Sequence, residues 1–336
     1  MPITTSDPTR TPAVLVPALV ARPWGGRRLA HLARAEDVPD GPIGEAWLAG
    51  PESLVASGGS ADAAAASVSL AELARRYGEP FVGSAPFRRY GARVPLLSKL
   101  LDAAEALSVQ VHPDDAYALA HEAESGYLGK TEAWYVLAAE AGAHVLWGWA
   151  RTVTTDEVRT AVAAGRLGPL LRERPVRAGD VIVNEAGVVH AVGPGILLFE
   201  LQQASDLTYR LYDYDRRDAH GRARALHLDE ALDVTRLTPA SAHPAPRPIA
   251  PGRERLAVTS AFTMERWLVG REGAPARQEW RVERRSMELW TVLAGTARLV
   301  TDAGERRLDT FASVALPASL GPAAWHGAAV LLRGRV

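Results

Sequence analysis

Between Leu107 and His112 apolar and polar residues alternate one for one. Such a run forms a strand with Ser108, Gln110 and His112 on one face and Leu107, Val109 and Val111 on the other. Pro113-Asp114-Asp115 then starts a short helix that runs through Glu124, and Gly126 ends it. Further apolar runs predict strands at Val14–Val16, Gly44–Ala49 with Trp47 buried, Pro95–Asp102, Trp134–Leu137 and His144–Trp147. The last two flank a Glu-Ala-Gly turn and are expected to pair with each other. Strands also follow at Val181–Val183, Val188–Val192, Gly195–Gln203 and Thr208–Tyr214, the last with Thr208, Arg210 and Tyr212 on a common face. Helical spacing recurs at Ala61–Tyr77, at Asp156–Leu171 behind a Thr155 cap, and at His227–Asp233.

Past Thr238 the pattern changes. Residues 239–252 carry five prolines and no core-forming period, which reads as a semi-rigid linker. Short strands follow it, at Phe262–Leu268, Met287–Leu293, Thr296–Val300, Ala312–Leu316 and Ala328–Leu332. Many short strands between Gly and Pro turns suggest an antiparallel sandwich or jelly roll. The chain is thus expected to be mainly β, with a helical insert at about residues 154–172. A length of 336 residues exceeds the comfortable size of one core. The expected division is residues 1–238, the linker 239–252, and residues 253–336.

Composition narrows the function. A net charge of −1 offers no basic surface for nucleic acid or an anionic membrane. The absence of Cys removes disulfides, thiolate nucleophiles and thiolate metal sites, so any metal must rest on N and O ligands. The first residues lack the features of a signal peptide, and no window reaches the roughly 18 apolar residues of a membrane span, so a cytoplasmic location is expected. Of 38 basic residues only Lys99 and Lys130 are lysines. Arginine serves wherever surface charge suffices; a retained lysine points to a need for a compact ammonium that can release a proton.

Lys130 lies two residues before Glu132, so in an extended segment both side chains point the same way. Among nine histidines, His112 lies on the alternating strand and His190 on a strand between Gly187 and Gly193. With Gln110 and Glu132 they make two imidazoles, a carboxylate and an amide oxygen, a set suited to Zn²⁺ and open to Mn²⁺ or Fe²⁺. His31, His121, His220, His227 and His243 read as exposed, while His144 and His326 read as structural. The region after the linker shows no comparable cluster, and no metal is expected there.

Four segments in order carry a resemblance. They are Leu-Ser-Val-Gln-Val-His-Pro-Asp-Asp from Leu107, Gly-Lys-Thr-Glu-Ala-Trp-Tyr-Val from Gly129, Gly-Val-Val-His-Ala-Val-Gly-Pro-Gly from Gly187, and Gln-Gln-Ala-Ser-Asp-Leu-Thr-Tyr-Arg from Gln202. Together they resemble type I mannose-6-phosphate isomerase, a zinc-dependent family with a double cupin fold of two jelly-roll domains. The resemblance covers most of residues 20–334. It implies a catalytic domain before the linker and a cupin-like domain after it. It places one zinc on Gln110, His112, Glu132 and His190, and matches Arg210, Lys130 and Glu200 to active-site residues and Ser108 to a hydroxyl near the substrate. Lys99, the other retained lysine, is a further candidate for substrate contact. Asn184-Glu185-Ala186-Gly187 departs from a turn that usually contains Pro, and Val188 stands where Thr is common.

The implied reaction interconverts mannose 6-phosphate and fructose 6-phosphate through a metal-stabilised enediolate, with Lys130 and Glu200 competing for the role of base. A small sugar phosphate is the expected partner, with no nucleic acid or membrane, and the chain is expected to act as a monomer or weak homodimer. Two alternatives belong to other classes: an Fe(II)-dependent cupin oxygenase, which would not need Lys130 or Arg210, and a non-catalytic sugar-binding cupin.

Overall fold

The alternating run at residues 107–112 becomes the strand Val109–Val111, and the helix behind it is Asp115–His121, with the Asp114 carboxylate accepting from the Tyr117 amide as its cap. The computed structural model describes residues 7–33, 37–56, 68–217 and 221–336. The expected helix from Ala61 starts outside the described residues; its visible part is Leu70–Tyr77, opened by a Ser69/Glu72 capping box. His220 and residues 1–6 of the lead-in also lie outside them. The fold is mainly β, and among the described residues no sheet closes into a barrel.

The chain divides into two compact units, each assembled from separate stretches: Met1–Ala18, Trp47–Lys99 and Ala245–Val336 in one, Leu19–Ala46 and Leu100–Pro244 in the other. The divisions fall inside the strands Ile43–Ala49 and Leu96–Ala103.

In the second unit a five-stranded sheet runs in the order Tyr209–Tyr212, Val109–Val111, His190–Val192, His144–Trp149, Leu171–Pro175. A six-stranded sheet includes Leu96–Ala103, Ile196–Gln203, Glu132–Ala139 and Val181–Asn184 as neighbours in that order. Between the sheets lies one core, in which Trp134, Val136, Ile182 and Leu198 of one sheet meet Val145, Trp147, Val188 and Val192 of the other. Val109, Val111, Val189 and Ala191, the alternate residues, pack outward against the helices Thr155–Ala163 and Leu228–Val234. The helical insert therefore covers the outer face of a sheet that would otherwise expose apolar surface to water. Its cap is Thr154 rather than Thr155, paired with Glu157 in a capping box, and its tail Leu171–Pro175 joins the sheet as an edge strand.

One expected pairing does not form. The strands Glu132–Ala139 and His144–Trp149 belong to different sheets, so the Glu-Ala-Gly turn is a corner between layers and not a hairpin. The reason is burial: Val136 on one and Val145 and Trp147 on the other fill the same core from opposite sides. Trp47, expected to be buried, is half-buried.

The first unit is built on a nine-stranded sheet whose centre is two long strands, Glu288–Thr301 and Pro322–Arg335. The separate runs at Met287–Leu293 and Thr296–Val300 are one strand with an irregularity between Val292 and Ala294. There the chain bends at Gly295, at φ +81°, where a Cβ would lie 2.1 Å from the Ala328 carbonyl oxygen; only glycine tolerates both conditions. Ala13–Leu15 pairs with Ser313–Leu316 at one edge, and Arg247–Ala250, in the proline-rich stretch, pairs with Arg253–Val258 near the other. Trp267, Trp290 and Trp325 centre the core, with Trp280 half-buried against them.

Candidate metal centre and active site

Six of the sequence-selected residues meet inside the second unit. Gln110 lies directly across the ladder from both His190 and Arg210, so three neighbouring strands bring an amide, an imidazole and a guanidinium into one row. His112 follows at the strand end, 1% exposed. Glu132 comes from the facing sheet and is fully buried. Its Oε1 lies 3.1 Å from His190 Nε2 and its Oε2 lies 3.4 Å from His112 Nε2. Lys130 Nζ stands 3.4 Å from the same Oε2, so the two-residue spacing does bring ammonium and carboxylate to one side.

The segment before Glu132 is held by backbone. The Lys130 amide donates to the Pro113 carbonyl at 3.0 Å, and the Thr131 amide to Gln203 Oε1 at 2.9 Å. Asp115 Oδ1 accepts from the Gly129 amide and from Gln203 Nε2. Gly129 is needed for this approach, because a Cβ there would lie 2.5 Å from the Asp114 carbonyl carbon.

Hydrogen bonding settles the tautomers. His112 Nδ1 lies 2.8 Å from the Leu207 carbonyl and His190 Nδ1 lies 2.9 Å from that of Val188. A carbonyl only accepts, so each Nδ1 donates and each Nε2 presents a lone pair. Those lone pairs face carboxylate oxygens, which also only accept. Protonation does not relieve the conflict at His112, whose pKa is pushed down to about 3, by burial first and by the Lys130 charge second. Burial alone would raise the Glu132 pKa, but Lys130 and the two imidazoles outweigh it and hold the carboxyl well below its usual range. His112 Nε2 and Glu132 Oε2 are both buried without a hydrogen-bond partner.

Converging acceptors with no donor between them call for a cation. His112, Glu132 and His190 are the group of acidic and imidazole residues with metal-binding spacing among the described residues. A tetrahedron with bonds of about 2.0–2.1 Å has edges of about 3.3–3.4 Å. The spacings of 3.1 and 3.4 Å between Glu132 and the imidazoles fit that frame. Gln110 Nε2 lies 3.4 Å from His190 Nε2, and a half-turn of the amide puts its oxygen there instead. The donor set therefore fits zinc.

Around this centre, Glu200 is buried and its Oε2 accepts from the Trp134 indole N–H at 2.8 Å. Trp134 in turn meets the His190 ring edge-on at 5.4 Å. Arg210 is half-buried; burial first, and Arg224 second, lower its pKa, and its buried Nε has no hydrogen-bond partner. Ser108 is buried immediately before the strand. Lys99, on Leu96–Ala103, is buried and belongs to the first unit. His227 is half-buried and not exposed as expected, its Nδ1 accepting from the Arg210 amide at 3.3 Å. Asn184 was noted in the sequence only as part of an unusual turn. It lies opposite Glu132 and donates from Nδ2 to Oε1 at 3.1 Å.

Comparison with known proteins follows the same lines. Residues 14–135 match the family model for the catalytic domain of type I phosphomannose isomerase. The mannose-6-phosphate isomerase of Streptococcus mutans is 42% identical over 253 residues, covering 73% of this chain and 75% of that protein. The chain belongs to the type I phosphomannose isomerases. A solved family member, the mannose 6-phosphate isomerase of Bacillus subtilis, superposes with a TM-score of 0.81 at 28% identity, covering 97% of this chain and 100% of that one. At 16% identity, a zinc-bound mannose 6-phosphate isomerase shares the fold, with a TM-score of 0.72 over 96% of this chain and 98% of its own.

Proposed function

We infer that this chain interconverts mannose 6-phosphate and fructose 6-phosphate, with zinc held by Gln110, His112, Glu132 and His190. The observation that carries the site is the convergence of two imidazole lone pairs on the buried Glu132 carboxylate. Zinc bound there supplies a Lewis acid for the oxygens of the open-chain sugar.

The remaining work falls to the chain. Moving the carbonyl from C1 to C2 requires that the C2 proton be taken and a proton be delivered to C1. Two groups beside the ligands can carry it: Lys130, whose Nζ already contacts Glu132, and Glu200, oriented by the Trp134 N–H. Arg210 offers a fixed cation with an unused buried donor next to Gln110, suited to oxyanion or phosphate. Ser108 adds a hydroxyl on the strand that carries Gln110 and His112. The two-layer core around Trp134 and Trp147 keeps water from the inner side of the ligands.

The test is a coupled assay of mannose 6-phosphate turnover, run before and after chelation and after zinc is restored. Activity is expected to vanish with chelator and return with zinc; zinc-loaded protein without turnover overturns the assignment. Oxygen consumption with Fe²⁺ would instead mark an oxygenase.

A further inference from the structure

Asn184 is the last residue of the strand Val181–Asn184 and is fully buried. Ile182, two residues earlier and on the same face, packs in the core between the sheets. An aliphatic side chain at 184 would continue that core. The amide there is fully buried and only half satisfied: Nδ2 donates to Glu132 Oε1 at 3.1 Å, while Oδ1 has no hydrogen-bond partner. Reversing the amide would set its oxygen against a carboxylate oxygen, so the donor end must face Glu132. A buried polar group is kept in this state only if its one contact matters.

We propose that Asn184 is a positioning residue that fixes the orientation of the Glu132 carboxylate toward the metal site. By donating to Oε1 it sets the carboxylate plane, with Oε1 3.1 Å from His190 Nε2 and Oε2 3.4 Å from both His112 Nε2 and Lys130 Nζ. A carboxylate held this way turns both oxygens toward the imidazole nitrogens, as an outer hydrogen bond to a metal ligand does. A neutral amide does this without adding charge; a carboxylate at 184 would put two anions side by side in the interior. This rests on the isomerase reading for the purpose of the metal, but not for the orientation of the carboxylate.

The experiment compares wild type with Asn184→Leu, which keeps the branched outline and loses the donor, and Asn184→Asp, which keeps shape and can only accept when ionised. Zinc affinity is read by competition with a chromophoric chelator, and coordination number by the d–d bands of the Co²⁺-substituted protein. Both variants are expected to bind zinc about 10- to 100-fold more weakly, and Asn184→Leu to show Co²⁺ bands altered from wild type as the Glu132 carboxylate loses its fixed orientation. A purely structural role lowers the melting temperature of the metal-free protein and leaves affinity and Co²⁺ bands as in wild type, and that result overturns the proposal. If Asn184→Leu does not fold, Asn184→Asp decides by its zinc affinity alone. Should wild-type protein lack mannose 6-phosphate turnover while Asn184→Leu still loses zinc affinity and changes its bands, the activity reading falls and the positioning role stands.

Discussion

Lys130 and Arg210 show how a single residue is tied to its task by chemistry that its nearest substitute lacks. Lys130 is one of two lysines in a chain rich in arginine, and its Nζ is 3.4 Å from Glu132 Oε2. Guanidinium at that place could pair with the carboxylate but could not exchange a proton. Lys130→Arg and Glu200→Gln, assayed side by side with zinc occupancy measured in each, should identify the proton carrier: the variant at the carrier loses about 10²- to 10⁴-fold in kcat with zinc retained. Arg210→Ala is expected to cost about 10²- to 10³-fold in kcat/KM if its free donor meets developing charge, and Arg210→Lys to restore little of it. In the other unit Arg333 lies between Glu265 and Glu288, all three nearly buried, with the indoles of Trp267 and Trp290 completing the carboxylates' hydrogen bonds. Burial opposes its charge, but the two carboxylates outweigh burial and raise its pKa. Arg333→Ala, which removes the cation paired with buried Glu288 and leaves Glu265 only the longer contacts of Arg255 and Arg335, should destabilise by roughly 3–5 kcal/mol, measured by urea unfolding.

At the scale of elements, the site depends on how closely a loop can approach a helix start. Gly129 touches the backbone at Asp114, and the same loop carries Lys130 and leads into Glu132. Gly129→Ala must therefore displace both side chains from the cluster. It is expected to weaken zinc binding and to lower the melting temperature of the zinc-loaded protein more than that of the metal-free protein, by calorimetry. Element reading from sequence succeeded where a residue's side is fixed by period. The alternation put Gln110 and His112 on one face and Val109 and Val111 on the other, as found, but Leu107, expected with the valines, packs in the core between the sheets. It failed where pairing is a matter of layers: the strands on either side of the Glu-Ala-Gly turn look like a hairpin locally, and only the shared core sends them to separate sheets.

At the scale of the whole molecule, metal and fold are linked. Ligands come from both sheets of the second unit, so zinc binds the folded state and stabilises it by mass action, by about 2.7 kcal/mol when free metal is 100 times its Kd. Chelation should lower the melting temperature reversibly, and the loss should be absent in His112→Ala if that ligand is essential. By itself the sequence determined the donor types and the side of each strand they face, because those follow from chemistry and a two-residue period. It also carried the family, through four motifs in order. The tertiary structure decided what lies far apart in the chain: that Ala13–Leu15 pairs with Ser313–Leu316, that each compact unit draws on separate stretches, and that Asn184 stands across from Glu132. Strand pairing is set by burial against a common core, and no local pattern encodes which distant segment will share it.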